Sequence, residues 1–447
     1  MATLKKRYAV VGVSQRAIFM FMDTILNEYT GNAELVAMLD KDAGRMSGFN
    51  ASRKVNIPMF MPHQFDIMVE KTHPDVVIVA CRDNIHHHYI VESLKYDLDV
   101  ICEKPLTTDV EKCAAITRAV AASKGNVIVT FNYRYAPHVT KIKQLVAAGK
   151  VGKVVSVDLN SHLDTRHGGS YFRRWNRMRE MSGGLSVHKA CHHFDIVQWW
   201  LEQKPTEVFA YGALNFFGPY GAHNPLQPEQ IGDGRTCPSC DVRNKCKYYM
   251  RWYREEFRTG GRKDSKSKDA DFFKVYEGYD SQQCMFDPMI NIEDTYAAVI
   301  KYDGGAYVNY SFNASTPYEG FHLAINGSEG RIEYDEIHAP MRLPFPQAKG
   351  EVPVVYIPMF GGREQIDIIN LGGSHGGGDP LLCDELFIGT DPLAPVRYQA
   401  GLEDGIDAVL TGVALYKSAQ LAKPVSLEPM RRKVFDNCDQ NQQNARE

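Results

Sequence analysis

Nowhere in its 447 residues does the sequence hold an apolar run approaching the roughly 18 residues that a membrane-spanning helix needs. Residues 1–6 also lack the apolar stretch of a secretory leader and pass directly into a strand-like segment, so a cytoplasmic location is expected. Charge of one sign is not in excess. The 51 Lys and Arg against 54 Asp and Glu leave a net charge of −3, which offers nucleic acid or an anionic membrane no broad basic field. Ten cysteines are too sparse for a secreted disulfide scaffold, and Cys81, Cys102, Cys113 and Cys191 sit in core-like segments where a thiol serves as a small hydrophobe. Internal repeats and low-complexity tracts are absent too. What remains is an ordinary globular composition, 44% hydrophobic and 23% charged, on a chain long enough for two domains.

Residues 7–132 alternate strand and helix signals. Apolar runs at 7–13, 35–39, 76–80 and 100–102 are separated by segments with helical periodicity, such as Ile18, Met22, Ile25, Leu26 and Tyr29. Thr108 and Glu111 form a capping box opening a helix that Gly125 ends. Strands apolar on both faces and joined by helices imply a covered parallel sheet, so residues 1–136 are expected to be an α/β, Rossmann-type dinucleotide-binding domain. Beyond Pro137 longer alternating strands take over. Residues 299–302 and 307–312 flank Asp303-Gly304-Gly305, a hairpin signal, and 323–325 with 331–334 suggest another pair. The expected second domain, 137–430, is α+β with a large open, mainly antiparallel sheet. An irregular, cysteine-containing insertion occupies about 212–292, and 431–447 is a polar tail whose last eleven residues are expected to fray.

In a dinucleotide fold the first strand-to-helix turn lets backbone approach the pyrophosphate at the positive end of a helix. Here it reads Gly12-Val13-Ser14-Gln15-Arg16-Ala17, keeping the first glycine of G-x-G-x-x-G and replacing the others with Ser14 and Ala17. The same turn also suits a nucleotide-free α/β domain; its position after the first strand favours the cofactor reading. Asp40 ends the second strand, where a carboxylate accepts the adenosine ribose hydroxyls and repels a 2′-phosphate, favouring NAD. Arg16, Lys41 and Arg45 lie near enough to leave NADP open.

Cys102-Glu103-Lys104-Pro105 follows the fourth long strand. Upstream stands Asp83-Asn84-Ile85-His86; downstream come Asn132-Tyr133-Arg134-Tyr135-Ala136-Pro137 and Gly183-Gly184 before a helix carrying His192 and Asp195. In this combination the sequence resembles the glucose–fructose oxidoreductase/inositol dehydrogenase/rhizopine-catabolism (Gfo/Idh/MocA) family over nearly its whole length. The resemblance implies a lysine, Lys104, at the nicotinamide face that hydrogen-bonds the hydroxyl being oxidised, with His192 sharing the proton transfer. Burial beside a cofactor would suit that lysine to acid/base work. It also implies cofactor contacts from Asp83, Asn84, His86, Glu103 and Asn132, substrate contacts from Arg134 and Asp195, and a homodimer or homotetramer built on the open sheet. The family pattern has Asp where this chain has His188. A spacing of four puts His188 and His192 on one helical face, so His188 is expected to touch a neighbouring substrate hydroxyl. The pair also suits a metal, with His193, Asp195, His375 or Asp379 as a further ligand.

Residues 167–177 are dense in groups that bind polyols, notably Tyr171, Arg174 and Trp175, though such a loop equally suits a subunit contact. Residues 372–379, rich in glycine, read as a loop that closes over substrate. Cys237, Cys240 and Cys246, with Cys284 beyond, have spacings that a structural zinc tolerates; free thiols are the alternative. The expected activity is NAD-dependent hydride transfer from a secondary hydroxyl of a sugar, glycoside or cyclitol. Two alternatives stay open: a redox glycosidase that oxidises C3 transiently and eliminates the aglycone, and a non-catalytic NAD or sugar sensor.

Overall fold

The computed structural model of the chain describes residues 5–230, 232–249, 275–276, 279–280, 282–338, 352–369 and 377–444. Apolar strands dominate the N-terminal part. β1 (Lys6–Val11), β2 (Ala33–Leu39), β3 (Met59–Phe60), β4 (Val76–Val79), β5 (Asp99–Cys102) and β6 (Val127–Val129) pair in parallel in the order β6-β5-β4-β1-β2-β3. All four residues of β4 are buried, as a central strand covered on both faces requires. Helices connect these strands, and the carboxyl ends of the parallel strands gather at one edge, where α/β sheets bind ligands.

The chain then crosses at Ala136–Pro137 into a second sheet. Among the described residues it has nine strands, in the order Glu364–Ile366, Val354–Pro358, Gly330–His338, Glu319–Gly327, Val154–Asp164, Tyr307–Thr316, Thr295–Tyr302, Pro205–Ala213 and Val425–Ser426. Every pairing is antiparallel except that of Val154–Asp164 with Tyr307–Thr316. Strict alternation along Thr295–Tyr302 buries Tyr296, Ala298, Ile300 and Tyr302 against the helices Cys191–Leu201 and Leu402–Leu421 and leaves the other face open. The Asp303–Gly305 turn joins Thr295–Tyr302 to Tyr307–Thr316 as the sequence predicts.

Three local expectations are corrected. The N-cap of the helix Val110–Ala121 is Asp109, whose carboxylate accepts the Lys112 amide at 3.0 Å, rather than Thr108. Residues 428–444 are a helix whose first part packs on Val110–Ala121 through Val434 and a Lys433–Glu111 ion pair, so the expected polar tail starts as packed structure. Finally, the segment after the second sheet returns to the first domain. The helix Gly378–Phe387 packs Phe387 against Tyr8 and Tyr29, and the short strand Ala400–Gly401 pairs antiparallel with β6. Of the glycine-rich loop at 372–379, residues 372–376 (His375 among them) lie outside the described residues.

Candidate active site

A cleft of about 1220 Å³ runs along the strand ends between the two domains. Drug-sized ligands fill pockets of roughly 300–1,000 Å³, so this one has room for an extended dinucleotide and a small substrate. One end is the turn after β1. Gly12 has φ +90°, and a Cβ there would stand 2.6 Å from the Cα of Cys81, so only glycine lets this turn lie on the end of β4. Ser14 caps the following helix, its hydroxyl donating to the Ala80 carbonyl and accepting the Ala17 amide, each at 3.1 Å. The helix that follows contains a π-helical stretch, Ile18–Met22. Asp40 accepts the amides of Val13 at 2.7 Å and Asp42 at 2.9 Å, which fixes the turn, and Arg45 donates to the Val13 carbonyl.

Arg16 reaches along the cleft, not out to solvent. Its guanidinium donates to Glu103 at 2.8 Å and to Asp379 at 2.9 Å, while Asn132 donates to the other Asp379 oxygen at 2.5 Å. Gln15 and Glu103 line the same wall. Gly378 makes this meeting possible, because a Cβ there would stand 2.5 Å from the Asn132 carbonyl oxygen. His86 lies between the carbonyls of Pro105 (2.9 Å) and Cys81 (3.2 Å), tying the turn after β5 to the end of β4. Asn84 donates to the Met181 sulfur, and its buried Oδ1 has no hydrogen-bond partner among the described residues.

At the far end, the Lys104 ammonium donates to the backbone carbonyl of His188 at 3.1 Å, and the Lys104–Pro105 peptide is cis. The expected single helix through His188 and His192 is two helices, Leu185–His188 and Cys191–Leu201. The His188 carbonyl receives Lys104 and the Cys191 thiol (3.4 Å), and the His192 amide goes to Lys189 instead. The His188 ring donates from Nδ1 to Asp83 across the domain boundary at 2.5 Å, and its Nε2 accepts Asn176 at 3.2 Å. Burial lowers its pKa against the opposing pull of Asp83, so the ring is neutral in this arrangement. Both ring nitrogens are occupied, so in this arrangement neither is open to the expected contact with a substrate hydroxyl.

His192 lines the cleft with Lys104, edge-on to Phe131 and Tyr133. Arg134 and Asp195, expected at the substrate, are elsewhere. They form a buried two-point ion pair at 2.8 and 2.6 Å that Asp404 completes at 3.0 Å, and neither lines the cleft. The segment 167–177 is not a loop throughout. Asp164 caps a helix, Thr165–Phe172, that carries Tyr171 into the cleft, and Trp175 starts the next turn edge-on to His188. Arg174 is exposed at the rim.

Several residues here carried no signal of their own in the sequence. Glu319 accepts the His167 ring at 2.8 Å, and His167 meets the Tyr171 hydroxyl at 2.9 Å, a carboxylate–imidazole–phenol chain ending in the cleft. Lys189 was likewise missed, although it stands between two histidines already singled out; Asn176 lies in the segment read as polyol-binding, and Asp379 was expected as a metal ligand and not as the partner of Arg16 and Asn132.

Among the described residues no group of three or more His, Cys, Asp or Glu could hold a metal ion, which leaves both metal expectations without support. His193 is bound to Tyr310 and Ser161, and Asp195 to Arg134. At the cysteines, Arg235 donates to the Cys240 sulfur at 3.2 Å. The arms of the insertion are joined by backbone bonds, Cys237 to Gln282 and Cys284 to Arg235, each 2.8 Å, and burial pushes the Cys284 thiol up to about 12. No described helix is long and apolar enough to cross a membrane.

A Rossmann sheet with a glycine turn at its first strand, joined to a sheet-backed second domain over a common cleft, defines a two-domain dinucleotide-binding oxidoreductase. The chain belongs to the Gfo/Idh/MocA oxidoreductase family: residues 6–133 match its NAD-binding Rossmann fold and residues 143–427 its C-terminal alpha/beta domain. It is 45% identical over 430 residues, 95% of this chain and 98% of the other, to YteT of Bacillus subtilis (strain 168), whose name assigns oxidoreductase activity only provisionally. Inositol 2-dehydrogenase of Rubrobacter xylanophilus is 27% identical over 186 residues, 40% of this chain and 48% of that one. Among solved structures, the aldose-aldose oxidoreductase of Caulobacter crescentus shares the fold with a TM-score of 0.61 at 14% identity, covering 94% of this chain and 99% of that one.

Proposed function

We propose that the chain is a cytoplasmic NAD-dependent oxidoreductase that moves hydride between a secondary hydroxyl of a sugar, glycoside or cyclitol and nicotinamide. The observation that carries this reading is Lys104, held by the His188 carbonyl where a dinucleotide-sized cleft meets His192. The Gly12–Arg16 turn, with helix amides and a satisfied Ser14 cap, suits a pyrophosphate. Asn84, whose Oδ1 has no hydrogen-bond partner among the described residues, together with Glu103 and Asn132, lines the path from there to Lys104. Asp40 has lone pairs left after binding two amides, enough for ribose hydroxyls, and its charge disfavours a 2′-phosphate.

Nicotinamide, when bound, supplies the hydride acceptor. Lys104 donates to the oxygen of the hydroxyl being oxidised and stabilises the negative charge that grows on it. His192 contacts the same oxygen and takes its proton. His188 positions Lys104 through its carbonyl and the domain boundary through Asp83, while Tyr171 and Trp175 flank the sugar. The inositol 2-dehydrogenases among the relatives favour a polyol substrate. We also infer a homodimer or homotetramer through the open sheet face, where Tyr211, Val299 and Tyr307 are exposed; sedimentation as a monomer would contradict it.

The test is to incubate the purified protein with NAD and a panel of cyclitols, aldoses and glycosides and follow absorbance of reduced nicotinamide. Absorbance that rises with one class supports the reading. Free aglycone without net reduced cofactor would assign a redox glycosidase instead.

A further inference from the structure

The substrate half of the cleft pairs its carboxylates and its cations unevenly. Each of four carboxylates has a hydrogen-bond partner: Asp83 the His188 ring, Glu103 and Asp379 the Arg16 guanidinium, and Glu319 the His167 ring. Lys104, Lys189 and Arg174 have no carboxylate partner among the described residues. Lys104 donates to a carbonyl, and among the described residues the Lys189 ammonium and the Arg174 guanidinium have neither a hydrogen bond nor an ion pair. Lys189 stands where the cleft meets a smaller chamber of about 20 Å³ and, with His192, lines both.

An ammonium partly withdrawn from water and without a hydrogen-bond partner is in an unfavourable setting, and an anion arriving with the ligand relieves it. Desolvation lowers the Lys189 pKa, with Lys104 acting in the same direction and Glu319 opposing. A neutral polyol offers that ammonium only hydroxyl oxygens, whereas a carboxylate offers a charge-assisted bond.

We propose that the substrate is an acidic sugar whose carboxylate is received by Lys189 while a neighbouring hydroxyl lies at Lys104 and His192. A single ammonium close to Glu319 matches one negative charge better than the two of a phosphate. Arg174, at the rim, adds attraction on entry. The inference rests on the oxidoreductase reading for the chemistry and adds the substrate class.

The test uses matched pairs, glucose with glucuronate and galactose with galacturonate, plus a hexose phosphate. NAD reduction and calorimetric binding to the NAD-loaded protein are measured for each. The acid member of at least one pair should be favoured in kcat/KM and in binding by roughly 10- to 100-fold. Lys189→Gln should collapse that ratio by raising KM for the acid far more than it lowers kcat, and Lys189→Arg should restore part of it. Equal or better use of the neutral members, a preference for phosphate, or an equal loss for both members in Lys189→Gln would overturn the proposal. If no sugar reduces NAD, the oxidoreductase reading fails by itself. Calorimetry then still decides this one, because acid members that bind no better than neutral ones refute it.

Discussion

Replacing Asp195 with Asn removes the charge that faces Arg134 in the interior. Asp195 is 0% and Arg134 2% exposed, and the guanidinium spans both carboxylate oxygens at 2.8 and 2.6 Å while stacking over Trp199. The amide turns one acceptor into a donor aimed at another donor and leaves the buried guanidinium short of a counter-charge. Breaking a buried pair from one side costs about 3–5 kcal/mol. Asp404 lies 3.0 Å from the same guanidinium nitrogen and is partly exposed, so it takes up some of the loss and puts the expectation near the lower end, about 3 kcal/mol. Urea unfolding of the cofactor-free protein, read as midpoint and slope, measures it. The double variant Arg134→Met/Asp195→Leu should be clearly less unstable than Asp195→Asn, because no uncompensated charge remains. For the fraction that stays folded, KM for the sugar should hardly move, since neither residue lines the cleft. An unchanged urea midpoint combined with a raised KM would refute the structural assignment and return Asp195 to the substrate.

Gly12→Ala should abolish NAD binding by calorimetry and destabilise the first domain by about 1–3 kcal/mol, because φ is +90° and the new methyl meets backbone at 2.6 Å; binding within twofold of the parent would contradict the turn's role. His193 is buried and neutral, its pKa lowered to about 3 by desolvation, with Lys189 contributing. Its folded value lies below the unfolded one, so the stability it contributes is complete above about pH 6.5 and is lost as pH falls towards 3, by about 1.4 kcal/mol per unit at most. Glu319, held near 2 by His167, acts in the same direction below its unfolded value. Urea midpoints from about pH 7 to about pH 5 should therefore fall in the parent and fall less in His193→Gln; parallel slopes would remove His193 from the account.

Much of the fold was legible because its signals are local. Val76–Val79 is apolar on both faces, Gly12 follows the first strand, and Asp303-Gly304-Gly305 can hardly join two strands in any other way. Where a motif pointed to the cleft, as at Lys104 and His192, the residues do line it. The site was misread where tertiary partners decide. The spacing of His188 and His192 suits one helix, yet Lys104 takes the His188 carbonyl and the helix divides there. Arg134 and Asp195 look like substrate ligands until they are seen to satisfy each other. Asp379, more than 270 residues from Glu103, joins it only through Arg16, and nothing in the sequence links the three. The cysteine spacings suit a metal, but the arms that carry them are joined through their backbones.

The central claim is that Lys104 does chemistry on the substrate hydroxyl and is not merely part of the cofactor's seat. The most direct measurement is single-turnover hydride transfer in Lys104→Met, with NAD affinity measured separately by calorimetry on the same preparation. NAD binding should stay within a few-fold of the parent and transfer should be slower by about 10²- to 10⁴-fold. Transfer at the parent's rate, with NAD bound, would contradict it.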